Sequence, residues 1–231
     1  MYTLYIANKS YSTWSLRPWV LMRTLGIEFQ EQLVPLGSRS EAGGFCRFSP
    51  SGKLPCLIDD GFVVWDTLAI AEYLAEHHPG VWPTDAKARA WARCAAAEMH
   101  SGFGSLRERC PMTLGIRVRL NDVPPALTRD IDRIDELWCE GLGSFGGPFL
   151  AGEGFTAVDA FFAPVTFRAQ IYSLALSEPA AAYAERVRGL PAMRDWYAAA
   201  LLETWREPEQ EAEAERAGFR LEDLRASATH L

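Results

Sequence analysis

Apolar positions recur along this chain in two different registers, and the register changes at about residue 80. Before that point, short runs rich in β-branched and aromatic residues alternate with helical repeats. Tyr2-Thr3-Leu4-Tyr5-Ile6 predicts a strand over 2–6, broken by Asn8-Lys9-Ser10. From Ser15 onward Leu16, Trp19, Val20 and Met22 recur at helical spacing until Gly26, which predicts a helix over 15–25 with Pro18 in its first turn. A strand at 28–34, an irregular or helical piece at 39–48, strands at 56–60 and 62–65 and a helix at 67–78 complete a small α/β sandwich. His77-His78-Pro79-Gly80-Val81-Trp82-Pro83 then reads as a linker.

After the linker strand signals vanish. An alanine-rich helix is expected from Thr84 to about Arg109, with Asp85 suited to its positive end. Pro124 and Pro125 open another, carrying Ile131, Ile134, Leu137 and Trp138 three and four residues apart. Thr156 and Asp159 form a capping box ahead of a helix that Pro164 is expected to kink or make irregular. A last packed helix falls within 190–205, and the acidic stretch from Glu207 to Glu215 reads as a solvated helix or frayed tail. The pattern divides the chain into an α/β domain over 1–78, a linker over 79–83 and an all-helical domain over 84–231.

Composition narrows the classes. The chain has 231 residues, 48% of them hydrophobic, enough for a substantial core, and a formal charge of −7. That balance argues against nucleic acid and against an anionic membrane surface. No apolar run reaches membrane-spanning length and the first residues lack a signal-peptide pattern, so a cytoplasmic protein is expected. The five cysteines, Cys46, Cys56, Cys94, Cys110 and Cys139, show neither C-x-x-C nor metal spacing; we expect them reduced and mostly buried. The four histidines fit no metal pattern, so no metal is expected, and there is no Gly-rich phosphate loop.

Three short segments carry candidate chemistry. Pro55 stands at a first strand position, where its missing N–H is tolerated. If the Leu54–Pro55 bond is cis, the backbone of Leu54 faces outward and can pair with a peptide-like ligand as a short extra strand. Asp66 and Thr67 open a helix, either as an ordinary cap or as partners for a ligand's ammonium and carboxylate. Tyr11, Ser12 and Thr13 precede a helix N-terminus that favours negative charge, with Ser15 expected as the cap. A pocket between the two halves could be faced by Trp14, Arg17, Met99, His100, Phe103 and Leu106, although spacings of three and four are also those of a buried stripe.

Residues 8–26 and 50–76 resemble the N-terminal half of the cytosolic glutathione S-transferases, and the resemblance extends over nearly the whole chain except about the last twenty residues. Anchored at Gly26-Ile27, Tyr11-Ser12-Thr13-Trp14-Ser15-Leu16-Arg17 is similar to the Ser-Ser-Cys-Ser-Trp-Arg pattern of serine-type, zeta-like members, with Trp14 where that pattern has cysteine. Leu150 to Asp159 fits the family's Leu-x-Gly-x-x-x-Thr-x-x-Asp pattern. The resemblance implies a thioredoxin-like α/β domain followed by an all-α helical bundle. It implies reduced glutathione as co-substrate, paired along Leu54 and Pro55. Asp66 and Thr67 would hold its γ-glutamyl end, and Lys53, otherwise a solvated lysine, its glycine carboxylate. Ser12 would stabilise the thiolate, with Tyr11 as runner-up and Thr13 and Ser15 behind. No cysteine lies in that loop, which disfavours the family's disulfide chemistry. The electrophile pocket would draw on Trp14, Met99, His100 and Phe103.

Lowering a thiol pKa by about two units takes about 2.7 kcal/mol. One hydroxyl hydrogen bond to the anion supplies about 1.5–3 kcal/mol, and a helix terminus adds about 0.3–1 kcal/mol. Attack on a small hydrophobic electrophile is the reaction the resemblance implies, with glutathione-dependent isomerisation, peroxide reduction or a noncatalytic protein-binding role as alternatives. A homodimer is implied as well.

Overall fold

The computed structural model describes residues 1–37 and 44–227. Four strands form one sheet in the order β2-β1-β3-β4: β1 (Tyr2–Ile6), β2 (Phe29–Leu33), β3 (Cys56–Asp59) and β4 (Phe62–Val64). β1 runs parallel to β2, with Tyr2 opposite Phe29, and antiparallel to β3, with Leu4 opposite Leu57. The crossover between the parallel pair is helix α1 (Thr13–Thr24), and α2 (Thr67–His77) follows β4. Of the piece expected over 39–48, a 3-10 turn at Gly44–Arg47 is seen, and positions 38–43 lie outside the described residues.

α1 starts two residues earlier than the sequence reading places it. Ser12, not Ser15, is its cap: the Ser12 hydroxyl accepts from Ser15 N–H at 3.2 Å, and Leu16 N–H reaches Ser12 O at 3.2 Å. Pro18 consequently sits beyond the first turn. Ser15 turns inward, fully buried, and accepts from Ala7 N–H at 3.1 Å.

The second half contains α3 (Ala86–Ser101), α4 (Gly104–Arg109), α5 (Pro125–Phe145), α6 (Ala157–Tyr172), α7 (Glu178–Arg188), α8 (Pro191–Leu202) and α9 (Pro208–Ala217). The single helix expected from Thr84 to Arg109 is two, because Gly102 leaves helical geometry and Phe103 adopts a left-handed φ of 59°. α6 continues as a helix through Pro164. It is apolar nearly all round and occupies the centre of the core, packed by α1, α3 and α7. Asp159, fully buried, ties it down by accepting from Thr156 N–H at 2.9 Å and Leu150 N–H at 3.0 Å. Thr156→Ala is expected to lower stability by about 0.5–2 kcal/mol, read as a reduced melting temperature; an unchanged melt would contradict the capping role.

This half is helical with one addition. Ile116–Leu120 (β5) and Gly218–Asp223 (β6) pair antiparallel, although the sequence showed no strand signal past residue 80. The pairing joins segments about a hundred positions apart, and only the alternation in Ile116-Arg117-Val118-Arg119-Leu120 hints at it. The acidic stretch from Glu207 forms α9, docked by Arg225, whose side chain is 2% exposed and bonds Glu211 (2.6 Å) and Asp223 (2.7 Å). Burial works to raise Glu211, but Arg225 and Tyr11 hold it below its ordinary value, and Arg225 does the same to Asp223. Both carboxyls titrate lower folded than unfolded. Their stabilisation of this clamp is therefore present above about pH 4.5 and lost as pH falls through the depressed values.

Cys56 and Cys110 are buried, but Cys46 and Cys94 are exposed and Cys139 is intermediate, so the cysteines are not mostly buried as expected; all five are free thiols.

Candidate functional site

The loop from Ala7 to Ser12 is fixed by the far end of the chain. Buried Glu203, just after α8, accepts from Lys9 N–H at 2.6 Å and Ser10 N–H at 3.1 Å, while Trp196 donates to Lys9 O at 3.0 Å. Ser10 hydroxyl donates to Ala200 O at 3.0 Å, and Asn8 O accepts from Ser12 N–H at 2.9 Å. With α1 packed against both the sheet and α6 and α8, Ser12 stands at the seam between the halves.

Two clefts adjoin along this seam. The first, about 620 Å³, is lined by Trp14, Ser51, Lys53, Leu54, Pro55, Trp65, Asp66, Thr67, Ala69 and His100. The second, about 400 Å³, includes Tyr11, Ser12, Trp14, Lys53, Leu54, Arg107, Met112, Arg168 and Glu213 in its lining. Trp14, Lys53 and Leu54 belong to both, so a ligand lying along Leu54 reaches Ser12.

The Leu54–Pro55 bond is cis. No hydrogen bond within the described residues takes up the N–H or C=O of Leu54. Those two groups are open for a backbone partner. Lys53 is exposed, with its carbonyl accepting from Ser49 hydroxyl at 2.7 Å. Asp66 caps α2, accepting from Leu68 N–H at 3.0 Å, and Thr67 is buried at the first helical position. Asp66 Oδ2 also lies 3.2 Å from His100 Nε2, an ion pair across the two halves when the imidazole is protonated.

The four hydroxyls near the α1 terminus differ sharply in availability. Ser12 is half-buried and donates to Ser15 Oγ at 2.8 Å, a bond its rotatable hydroxyl can redirect because Ser15 Oγ keeps the Ala7 N–H. Tyr11 hydroxyl donates to Glu211 at 2.7 Å, and burial followed by that carboxylate pushes its pKa upward. Ser15 is fully buried, and Thr13 is 8% exposed.

Of the four residues expected at the electrophile pocket, Trp14 and His100 line the first cleft and their rings pack edge to face at 5.3 Å. Met99 and Phe103 line neither cleft. Met99 is fully buried on the inner face of α3 and Phe103 is 7% exposed, so both pack in the core. Leu106 is fully buried too. Arg17 stacks over Trp14 at 4.2 Å and is also fully buried.

Arg107 and Arg168 were missed as lining residues, since an isolated arginine on a helix carries no periodic signal and only the tertiary contact brings them beside Ser12. Among the described residues no cluster of histidine, cysteine and carboxylate side chains has metal-holding geometry, and no helix is long and apolar enough to cross a membrane.

Comparison with known proteins agrees with this architecture. The profile of the glutathione S-transferase N-terminal domain matches residues 11–77, and that of the C-terminal domain matches residues 69–199. The chain is 26% identical over 183 residues to a probable maleylacetoacetate isomerase of Caenorhabditis elegans, covering 75% of this chain and 81% of the relative. It is 25% identical over 182 residues to the maleylacetoacetate isomerase of Rattus norvegicus, with the same coverage. Among solved structures, a glutathione transferase homologue from Burkholderia with bound glutathione superposes with a TM-score of 0.65 at 23% identity, over 86% of this chain and 97% of that one. A tau-class glutathione S-transferase from mango superposes at 0.66 and 21% identity, over 94% and 96%. The two matched domains span most of the chain and meet at the seam that carries Ser12, and the chain belongs to the glutathione S-transferase family.

Proposed function

We propose that the protein binds reduced glutathione in the first cleft and presents its thiolate, at Ser12, to an electrophile held in the second. The observation that carries this reading is the unpaired Leu54 backbone, continuous along one wall with both Ser12 and Asp66. A γ-glutamyl-cysteinyl-glycine chain laid along Leu54 places its amino and carboxylate end at Asp66 and Thr67, its glycine carboxylate at Lys53 and its sulfur at Ser12. His100 holds the Asp66 carboxylate in place as a positioning residue. Ser12 supplies a hydroxyl hydrogen bond and the α1 N-terminus a favourable field, together enough to favour thiolate over thiol near neutral pH.

The bound sulfur then forms a bond to an electrophilic carbon. In displacement the leaving group departs with its electron pair; in addition the π pair moves to the neighbouring carbon and takes a proton from solvent. Addition followed by rotation and loss of the sulfur would isomerise a double bond instead. The maleylacetoacetate isomerase relatives favour that second reading. We place the domain boundary at the 79–83 linker, between α2 and α3, and assign the electrophile to the second domain's walls. The protein is proposed to act in the cytoplasm as a homodimer.

The direct test is the ultraviolet titration of thiolate absorbance in the protein–glutathione complex. An apparent thiol pKa about two units below that of free glutathione is expected. A bound thiol with the free value would contradict thiolate activation.

A further inference from the structure

Two arginines line the second cleft and a third stands beside it, and among the described residues no acid forms an ion pair with any of them. Arg107 and Arg168 line it, and Arg17 lies behind Trp14. Arg168 is 4% exposed: its Nε donates to Cys110 O at 2.7 Å, while its Nη1 is buried with no partner among the described residues. Arg107 donates from Nε to Gly102 O at 3.0 Å and from Nη2 to Met99 O, and its guanidinium stacks on Trp14 at 5.0 Å. Arg17 is fully buried, and none of its three guanidinium nitrogens has a hydrogen-bond partner among the described residues; it rests between Trp14 at 4.2 Å and Phe161 at 5.0 Å.

Burying a cation without an anion is costly, and grouping three raises the cost. Burial, and then the neighbouring arginines, push Arg17 well below its ordinary value, and the same two causes lower Arg168 to about 10. Three acids face the group. Asp66 acts on Arg17 and is paired to His100, Asp130 acts on Arg107 and accepts from Leu106 N–H, and Glu213 of α9 stands in the lining of the cleft. None forms an ion pair with any of the three arginines among the described residues.

We propose that the second substrate is an electrophile that carries a carboxylate, seated against Arg168 and Arg107, with an apolar body against Phe45, Pro111 and Met112. A guanidinium presents parallel donors that match a carboxylate. The cleft volume of about 400 Å³ suits a molecule the size of a substituted benzoate. In the transferase reading glutathione's own carboxylates are taken by Thr67, which lines the first cleft, and by Lys53, which lines both, leaving Arg107 and Arg168 to the second substrate. The arginines stand on α4 and α6, so they face the partner of the thiol. The proposal rests on the transferase reading and narrows its second substrate.

The test compares an acid with its neutral isostere. Calorimetry in the presence of S-methylglutathione measures binding of 3,5-dinitrobenzoate and of 3,5-dinitrobenzamide. The acid is expected to bind at least tenfold more tightly, and Arg168→Gln and Arg107→Gln are each expected to cut that preference at least fivefold, circular dichroism reporting that each variant is folded. Equal affinities, preference for the amide, binding of neither, or a preference that survives in both folded variants would overturn the proposal; the wild-type comparison stands even if a variant does not fold.

Turnover separates the two levels. Glutathione is supplied with 4-chloro-3,5-dinitrobenzoate or with neutral 1-chloro-2,4-dinitrobenzene; in each the C–S bond forms as chloride leaves with the C–Cl pair. If glutathione binds and both chlorides are released equally well, the transferase reading stands and the anionic substrate falls. If the acid preference holds in binding but glutathione does not bind, the cleft assignment stands and the transferase reading falls.

Discussion

Ser12→Ala is expected to raise the pKa of bound glutathione by one to two units and to cut kcat/KM for conjugation by roughly 10- to 100-fold. The magnitude is that of one hydroxyl hydrogen bond to an anion, about 1.5–3 kcal/mol, with every 1.4 kcal/mol a factor of ten. Glutathione affinity should change little, because Ser12 touches only the sulfur while Leu54, Lys53, Asp66 and Thr67 hold the rest. The same substitution removes the α1 cap, so a stability loss of about 0.5–2 kcal/mol accompanies it. Tyr11→Phe is the control. Its hydroxyl is committed to Glu211 and accepts a second bond from Glu207 N–H, so that variant should leave the bound thiol pKa near wild type. Full activity in Ser12→Ala with loss in Tyr11→Phe would reverse the assignment.

Asp159→Ala is expected to lower stability by about 3–5 kcal/mol, equivalent to a fall in melting temperature of about 10 °C for a chain of this size. The carboxylate is fully buried and accepts four bonds, from Leu150 N–H, Thr156 N–H, Thr156 hydroxyl and Tyr183 hydroxyl. Truncation leaves donors inside the core without acceptors, each costing about 1–3 kcal/mol. It also frees the N-terminus of α6, the helix on which α1, and through it Ser12, is packed. Activity should therefore fall together with stability. Burial pushes the Asp159 carboxyl up to about 6, with the four donors opposing. Because that value exceeds the ordinary 3.8, the folded state binds this proton first. Between about pH 6 and 4 acidification therefore favours the native state at this residue, so acid unfolding is not driven by it. A melting temperature within 2 °C of wild type would remove Asp159 from the role assigned here.

What could be read from the chain alone follows the range of the interaction. Pro55 at a strand start, Asp66 at a helix start and the Thr156–Asp159 box are local statements of backbone chemistry, and the structure holds each where the chain places it. The sequence leaves the α1 start ambiguous because Ser12 and Ser15 are both acceptable caps; the choice is made by Ala7 N–H, which draws Ser15 inward. Strands β5 and β6 join segments with no sequence proximity. Arg107 and Arg168 look like ordinary solvated arginines on helices until α4 and α6 are packed. Met99 and Phe103 show the reverse: helical spacing identifies a buried stripe, and burial in the core, not exposure to the cleft, is what it delivers.

The claim on which the rest depends is that reduced glutathione binds along Leu54. Calorimetric titration of the purified protein with reduced glutathione, with S-methylglutathione in parallel, tests it directly. Saturable one-site binding in the micromolar to millimolar range, for both ligands, is the expected result. No heat of binding from either ligand at millimolar concentration would contradict the account and leave the two clefts as an inherited shape without the ligand.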